Sequence, residues 1–328
     1  MIITRTPFRV SFVGGGSDLP SFYRKSPGAV LSTSINKYMY ISAHEYFEDE
    51  KYLLKYSKTE LVKDINKISN SLFKECIKLT STKPGVEISS SADIPSGTGL
   101  GSSSSFTVGA LNSLFRYNGK ERTKLELAKD ACNIELDILK EPIGKQDQYA
   151  AAIGGLNKIK FNSDESVDIS PVKISSKKQQ LFEQSSMMIY TGSTRSASEI
   201  LETQNNNINS NMDKFETQKE MVNLVDEIIP FMQKGDIEKF GNCLNKNWNL
   251  KTKLSNKISN SEVDKIYGKS LKYGAYGGKL LGAGGSGFLF ICFDSDQRNK
   301  FTELFKDYKQ VSFGFDKEGS RLVYDDSQ

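Results

Sequence analysis

The sequence predicts a mixed α+β protein of two domains, residues 1–180 and 181–328, on three observations. A glycine- and serine-rich stretch, IPSGTGLGSSSSF at 94–106, runs directly into a segment whose Phe106, Ala110, Leu111, Leu114 and Phe115 repeat at helical spacing. The segments before that stretch alternate apolar and polar residues as half-buried strands do, and those after it carry amphipathic helical stripes. Near residue 181 the pattern changes again, to a strand, a polar low-complexity run and three helical stripes. At 328 residues the chain can give each of two units its own core.

The elements follow in order. MIITRTPFRVSF reads as a strand interrupted by Pro7, and GGGSD turns the chain into a short helix around 18–25. Residues 29–57 read as a strand meander, 61–80 as a helix, and VEISSSADI as an alternating strand leading to the glycine-rich stretch. There Gly97, Gly99 and Gly101 let the backbone turn with φ > 0 and bring N–H groups close to a ligand. Ser96 precedes them, and Ser102, Ser103, Ser104 and Ser105 stand where a helix should begin. Free N–H groups at the positive end of a helix dipole hold phosphate. The spacing matches neither GxxxxGK[ST] nor G-x-G-x-x-G, so neither common nucleotide signature applies.

ERTKLELAKDACNIELDILK reads as a second amphipathic helix, with Leu125, Ala128, Cys132, Leu136 and Leu139 on one face. Glu135 near its end and Asp147 in the loop beyond are, taken alone, a solvated helix acid and an Asx-turn. Beside a phosphate loop they acquire another reading, because phosphoryl transfer uses one carboxylate on a metal ion and another near the attacking hydroxyl. In the second half, QSSMMIYTGSTRSASEIL is a strand, a turn and a helix start, and ETQNNNINSN reads as a mobile surface connection. A helix with Phe215, Val222, Val225, Ile229 and Met232 on its stripe bends at Pro230. Gly235 and Asp236 end it and cap the next, whose stripe is Ile237, Phe240, Leu244 and Trp248. GGKLLGAGGSGFLFICF holds a G-x-G-x-x-G at Gly282, Gly284 and Gly287, but a helical segment precedes it and a strand follows, the reverse of a dinucleotide-binding context. A helix near 296–307 and the strands VSFGF and RLVY close a βααβ-type second domain.

Composition narrows the function classes. The longest apolar run, FLFICF, is far shorter than the ~20 residues a membrane helix needs. A net charge of +4, without a basic stripe interleaved with aromatics, points away from nucleic acid and suits small anionic substrates. Cys76, Cys132, Cys243 and Cys292 are scattered without metal spacing, and the chain opens on a strand rather than a secretion signal, so a cytoplasmic compartment is expected. His44, the only histidine, lies in a strand pattern and reads as structural. The oligomeric state is left open.

PSGTGLGSSSS resembles the phosphate loop of the GHMP kinases, and two further segments agree with it in order along the chain. RTPFRVSFVGGGSD is similar to that superfamily's first motif in its sugar-kinase form, and KLLGAGGSG to its third. The resemblance implies the GHMP kinase fold, an α+β nucleotide domain followed by a ferredoxin-like domain, with ATP and Mg²⁺ as cofactors. It implies Asp147 as catalytic base with Arg9 beside it, and Ser103 and Glu135 on Mg²⁺. The nucleotide would lie on Ser96, Gly97, Gly99, Leu100, Gly101, Ser102, Ser103 and Ser104. Substrate contacts would come from Gly15, Gly16, Ser17, Asp18 and Gly284, and from Arg195, for which an exposed helix-terminal arginine is the alternative. Gly15 and Gly16 stand where galactokinases carry Glu-His, which argues against galactose. IGKQDQYAAAIGG and YTGSTR look most like the bacterial heptose-phosphate kinases, which implies phosphorylation of the anomeric hydroxyl of a heptose 7-phosphate for nucleotide-activated heptose synthesis. L-fucose or another hexose is the other acceptor considered, and a sugar sensor on the same fold is the non-enzymatic reading.

Overall fold

The computed structural model describes residues 1–192 and 197–326. The first half of the chain folds as β1 (Ile2–Val13), α1 (Pro20–Tyr23), β2 (Gly28–Glu45), β3 (Tyr52–Lys55), β4 (Thr59–Val62), α2 (Ser71–Thr80) and β5 (Val86–Ala92). There follow α3 (Ser102–Tyr117), α4 (Lys124–Cys132), α5 (Gln146–Ile153), β6 (Leu156–Phe161), β7 (Val167–Pro171) and α6 (Ser176–Gln184). The second half contains β8 (Ser186–Tyr190), α7 (Ala197–Ser210), α8 (Met212–Lys234), α9 (Ile237–Leu254), α10 (Ser261–Lys272), β9 (Gly277–Leu280) and β10 (Phe288–Cys292). It ends with α11 (Arg298–Leu304), β11 (Gln310–Val311) and β12 (Arg321–Asp325).

The larger sheet runs β12-β1-β2-β5-β3-β4, with β6 on the first half of β2 and β7 on β6. The smaller, antiparallel sheet runs β11-β8-β10-β9. The later part of β1 and the earlier part of β2 are buried residue after residue. Strands buried that way are covered on both faces, and α3, α5 and α8 pack against both of them. The site is built around this doubly covered stretch. No helix among the described residues is long and apolar enough to cross a membrane.

Several sequence expectations are corrected here. The helix expected over 61–80 begins only at Ser71, because Asn70 caps it by accepting from Phe73 N at 3.0 Å and Thr59–Val62 joins the sheet as β4. The helix carrying Glu135 widens into a π turn over Asn133–Ile138. The buried face is Leu127, Ala128, Ala131 and Cys132, continued by Ile134 and Glu135, one step round from the expected stripe, and Leu125 is 49% exposed. Asp147 lies in the first turn of α5 rather than in a loop. All of ETQNNNINSN but its last residue, Asn211, belongs to α7, whose Ile200, Gln204 and Ile208 recur every four residues on a buried face. On α8 the buried line is Gln218, Met221, Leu224, Val225, Ile228 and Met232, one step round from the expected stripe. A strand, not a helix, precedes the 281–287 glycine loop, which therefore closes a β9–β10 hairpin. The final RLVY strand pairs with β1 in the large sheet instead of closing the second domain.

Candidate active site

The glycine-rich stretch crosses from β5 to α3 with Gly99 at φ 84°. A Cβ at Gly99 would stand 2.4 Å from the Leu281 carbonyl oxygen, so the glycine is what lets this loop lie against the β9–β10 loop. Gly101 occupies the N-cap of α3 in the left-handed region, with no side chain capping the helix. The first N–H groups of α3 are therefore left for a ligand, at the positive end of the dipole. Ser96, Gly97, Ser102 and Ser103 line the cleft in front of them. Ser105 instead donates to the Pro7 carbonyl at 2.8 Å. Leu100 is fully buried, and its carbonyl accepts from Arg9 N at 3.1 Å, so it holds the loop to β1 with its side chain in the core.

Arg9 reaches out of β1 toward the first turn of α5. Its Nε and Nη2 donate to the two carboxylate oxygens of Asp147, each at 2.7 Å, and its Nη1 donates to the Gly99 carbonyl at 2.6 Å. This is the parallel fork that fixes a carboxylate in both position and plane. Gln146 adds a donor to Asp147 Oδ1 at 2.9 Å and is itself held by Ser11 at 2.7 Å. Asp147 keeps a quarter of its side-chain surface open to the cleft, while Arg9 is nearly closed off. Asp18 lines the same cleft, accepting from Gly16 N at 3.1 Å and Gln146 N at 3.2 Å. Burial, and then the neighbouring Asp147, push its carboxyl up. Gly15, Gly16 and Gly284 also face the cleft. Ser17 does not: its hydroxyl is fully buried and exchanges hydrogen bonds with Ala29 O and N, each at 3.0 Å. Arg195 lies outside the described residues.

Glu135 is fully buried behind the phosphate loop and does not line the cleft. Oε1 accepts from Thr107, while Oε2 accepts from Ser104 at 2.8 Å and Gln148 at 2.5 Å. Among the described residues it has no cationic partner, and burial pushes its carboxyl up to about 7. Ser104 rather than Ser103 meets it, and a buried acid with no counter-charge, one hydroxyl behind the cleft wall, offers the hard anionic oxygen that Mg²⁺ takes. The residues present therefore fit that ion.

Sequence reading missed two cations. Lys251 on α9 and Lys279 on β9 are 3% and 2% exposed, and both line the cleft. Lys251 donates to the Gly282 carbonyl, and Lys279 to the Ser11 carbonyl at 2.8 Å. Burial and then Arg9 push Lys251 down to about 8, although Asp18 works the other way. Lys279 is driven well below the ordinary lysine range by burial, Lys251 and Arg9. The α9 stripe contained the signal: continued past Ile237, Phe240, Leu244 and Trp248, its next inward position is Lys251. A second arm of the cleft, of about 760 Å3 in all, is walled by Met39, Tyr56, Leu72 and Phe106, with Asn70 and Ser57 at its edge. These residues lie in four separate segments, and no local motif announces them.

A family model described as GHMP kinases N terminal domain matches residues 60–155, and one described as GHMP kinases C terminal matches residues 228–308. The chain is 30% identical to the D-glycero-alpha-D-manno-heptose 7-phosphate kinase of Campylobacter jejuni subsp. jejuni serotype O:2, over 97% of each. It is 26% identical to a galactokinase of Pyrococcus furiosus, over 90% of each. Among solved structures, a D-glycero-D-manno-heptose 1-phosphate kinase from Bacteroides thetaiotaomicron has a TM-score of 0.82 at 22% identity, covering 99% of this chain and 100% of that one, a likeness of fold.

Proposed function

The chain belongs to the GHMP kinases, and on that premise we propose that it is a sugar kinase moving the γ-phosphoryl group of ATP onto the anomeric hydroxyl of a heptose 7-phosphate. The observation that carries the chemistry is Asp147, forked by Arg9 at 2.7 Å beside an uncapped helix N-terminus. The sugar assignment rests on the heptose 7-phosphate kinase relative at 30% identity.

In this reading the N-terminal amides of α3, with Ser96 and Gly97, hold the nucleotide's phosphates. The arm walled by Met39, Tyr56, Leu72 and Phe106 takes the adenine. Asp18 and the Gly15–Gly16 amides orient the sugar. Asp147 accepts the hydroxyl proton as the oxygen bonds to the γ-phosphorus and the bond to the β–γ bridging oxygen breaks, leaving ADP. Arg9 keeps that carboxylate aimed. Ser103 and Glu135 would hold Mg²⁺, which when bound neutralises charge on the β- and γ-phosphates. A protein that only sensed a sugar would have no chemical need for an acid forked in this way. The cleft and the family speak for a cytosolic-type small-molecule enzyme, with ATP and a sugar phosphate as its partners.

The test is ADP release across heptose 7-phosphate, unphosphorylated heptose, L-fucose and galactose. The expected result is a kcat/KM for the 7-phosphate at least about 10²-fold above the neutral sugars, shrinking with added salt as the attraction is screened. Equal or faster turnover of L-fucose or galactose would overturn the heptose-phosphate acceptor and leave the kinase chemistry standing.

A further inference from the structure

We propose that Lys251 and Lys279 form a distinct phosphate site for the phosphate that the acceptor already carries, separate from the helix N-terminus that holds the nucleotide. The inference rests on the kinase reading above and names the residues that would read the acceptor's second charge.

Three observations carry it. The two lysine side chains are almost wholly buried, line the cleft, and have no carboxylate partner among the described residues. Each lysine nitrogen carries two N–H donors even when neutral and three when charged, and uses one on a backbone carbonyl, so both retain donors for a ligand. Buried charge without a counter-ion is costly, and a phosphate dianion supplies the missing charge. Arg9 differs from them in that its charge is already balanced by the Asp147 carboxylate. Ser286, 4% exposed and also lining the cleft, has a hydroxyl with no partner among the described residues, a further polar group left for a ligand.

Position decides which phosphate. β1 runs from Arg9 through Ser11 to the Gly14–Asp18 turn, and Lys279 is bound to the Ser11 carbonyl, on the acceptor side of Arg9. Lys251 is bound to the Gly282 carbonyl of the loop that lies against Gly99, and the fields of Arg9 and of Asp18 both reach it. The nucleotide's phosphates have their own donors at the start of α3.

The test measures kcat/KM for heptose 7-phosphate and for unphosphorylated heptose in the wild type, Lys251→Met and Lys279→Met, with far-ultraviolet circular dichroism as the check on folding. The expected result is a preference for the phosphorylated acceptor that falls at least about 30-fold in each variant, the scale of one lost charge-assisted bond to phosphate. A preference that survives in both variants overturns the site. So does a parallel loss on both acceptors with weakened binding of the nonhydrolysable analogue AMPPNP, because the lysines would then serve the γ-phosphoryl group. If the wild type itself prefers neutral sugars, the heptose-phosphate reading fails, and the site is judged by inorganic phosphate on AMPPNP-loaded protein. A phosphate-dependent rise in Tm that both variants lose supports it, and no rise in the wild type overturns it.

Discussion

Asp147 and Arg9 come from segments 138 residues apart, yet they meet in a two-bond fork at 2.7 Å. Asp147→Asn would keep the size of the side chain and lose its basicity. A kcat fall of about 10²–10⁴-fold is expected, with ATP affinity little changed, as loss of a general base produces. A variant within a few-fold of wild type in steady-state kinetics would remove Asp147 from that role. Glu135→Gln should raise the Mg²⁺ concentration giving half-maximal rate, because a neutral amide replaces a hard anionic ligand, and an unchanged Mg²⁺ titration would contradict it. Lys251 gives a pH-dependent prediction. Its pKa falls from 10.5 to about 8 on burial, so the native state releases its proton before the unfolded chain does. Arg9 pushes in the same direction and Asp18 opposes it. Below about pH 8 both states are protonated and the folded protein bears the whole cost of the buried charge. That cost is relieved as pH rises toward 10.5, so stability should climb through this window. The shift corresponds to about 3 kcal/mol, and Lys251→Met should therefore be more stable than wild type at pH 7 in urea unfolding, with a flatter rise toward pH 9.5. Lower stability of Lys251→Met at pH 7 would contradict the buried-charge account. Arg9 and Asp147 were legible because they stand inside recognisable local wording. Lys251 was hidden because a lysine on an apolar helical stripe looks like a boundary residue until a cleft is found beneath it.

At the scale of elements, two glycine loops depend on each other. The 94–101 loop and the 281–287 loop interlock where Gly99 meets the Leu281 carbonyl and Gly287 meets Thr98. Gly99→Val would put a β-branched side chain at φ 84° and drive it into backbone 2.4 Å away. AMPPNP binding should be lost by isothermal titration while circular dichroism stays near native, because the clash is confined to the two loops. Global unfolding of the variant would make Gly99 a structural residue first. The start of α3 was readable from glycine, serine and apolar spacing in immediate succession. The π turn after α4 was not, since helical periodicity assumes a fixed turn. Glu135 there is buried, whereas Leu125 in the first turn of α4 lies off the Leu127, Ala128, Ala131 and Cys132 face and stands half in solvent. The polar run in α7 likewise concealed a helix, because asparagines suggest loops unless Ile200 and Ile208 are placed on one face.

At the scale of the whole molecule, the cleft draws on β1, the starts of α3 and α5, the end of α9 and the β9–β10 loop, so it closes only when both sheets are in place. The strand-and-helix makeup and the three motif segments were legible because each is local. The return of β12 to pair with β1 was not, because a short strand carries no label for its sheet. The two buried lysines of the cleft also eluded sequence reading, because Lys251 and Lys279 stand more than two hundred positions from Arg9 and Asp18. The most direct test of the central claim is 31P NMR of the product formed from heptose 7-phosphate and ATP. Expected are ADP and a sugar bearing a second phosphate ester, its phosphorus coupled to the anomeric proton, with neither forming at comparable times in Asp147→Asn. A γ-phosphoryl group released as inorganic phosphate, or an ester at any other carbon, would contradict it.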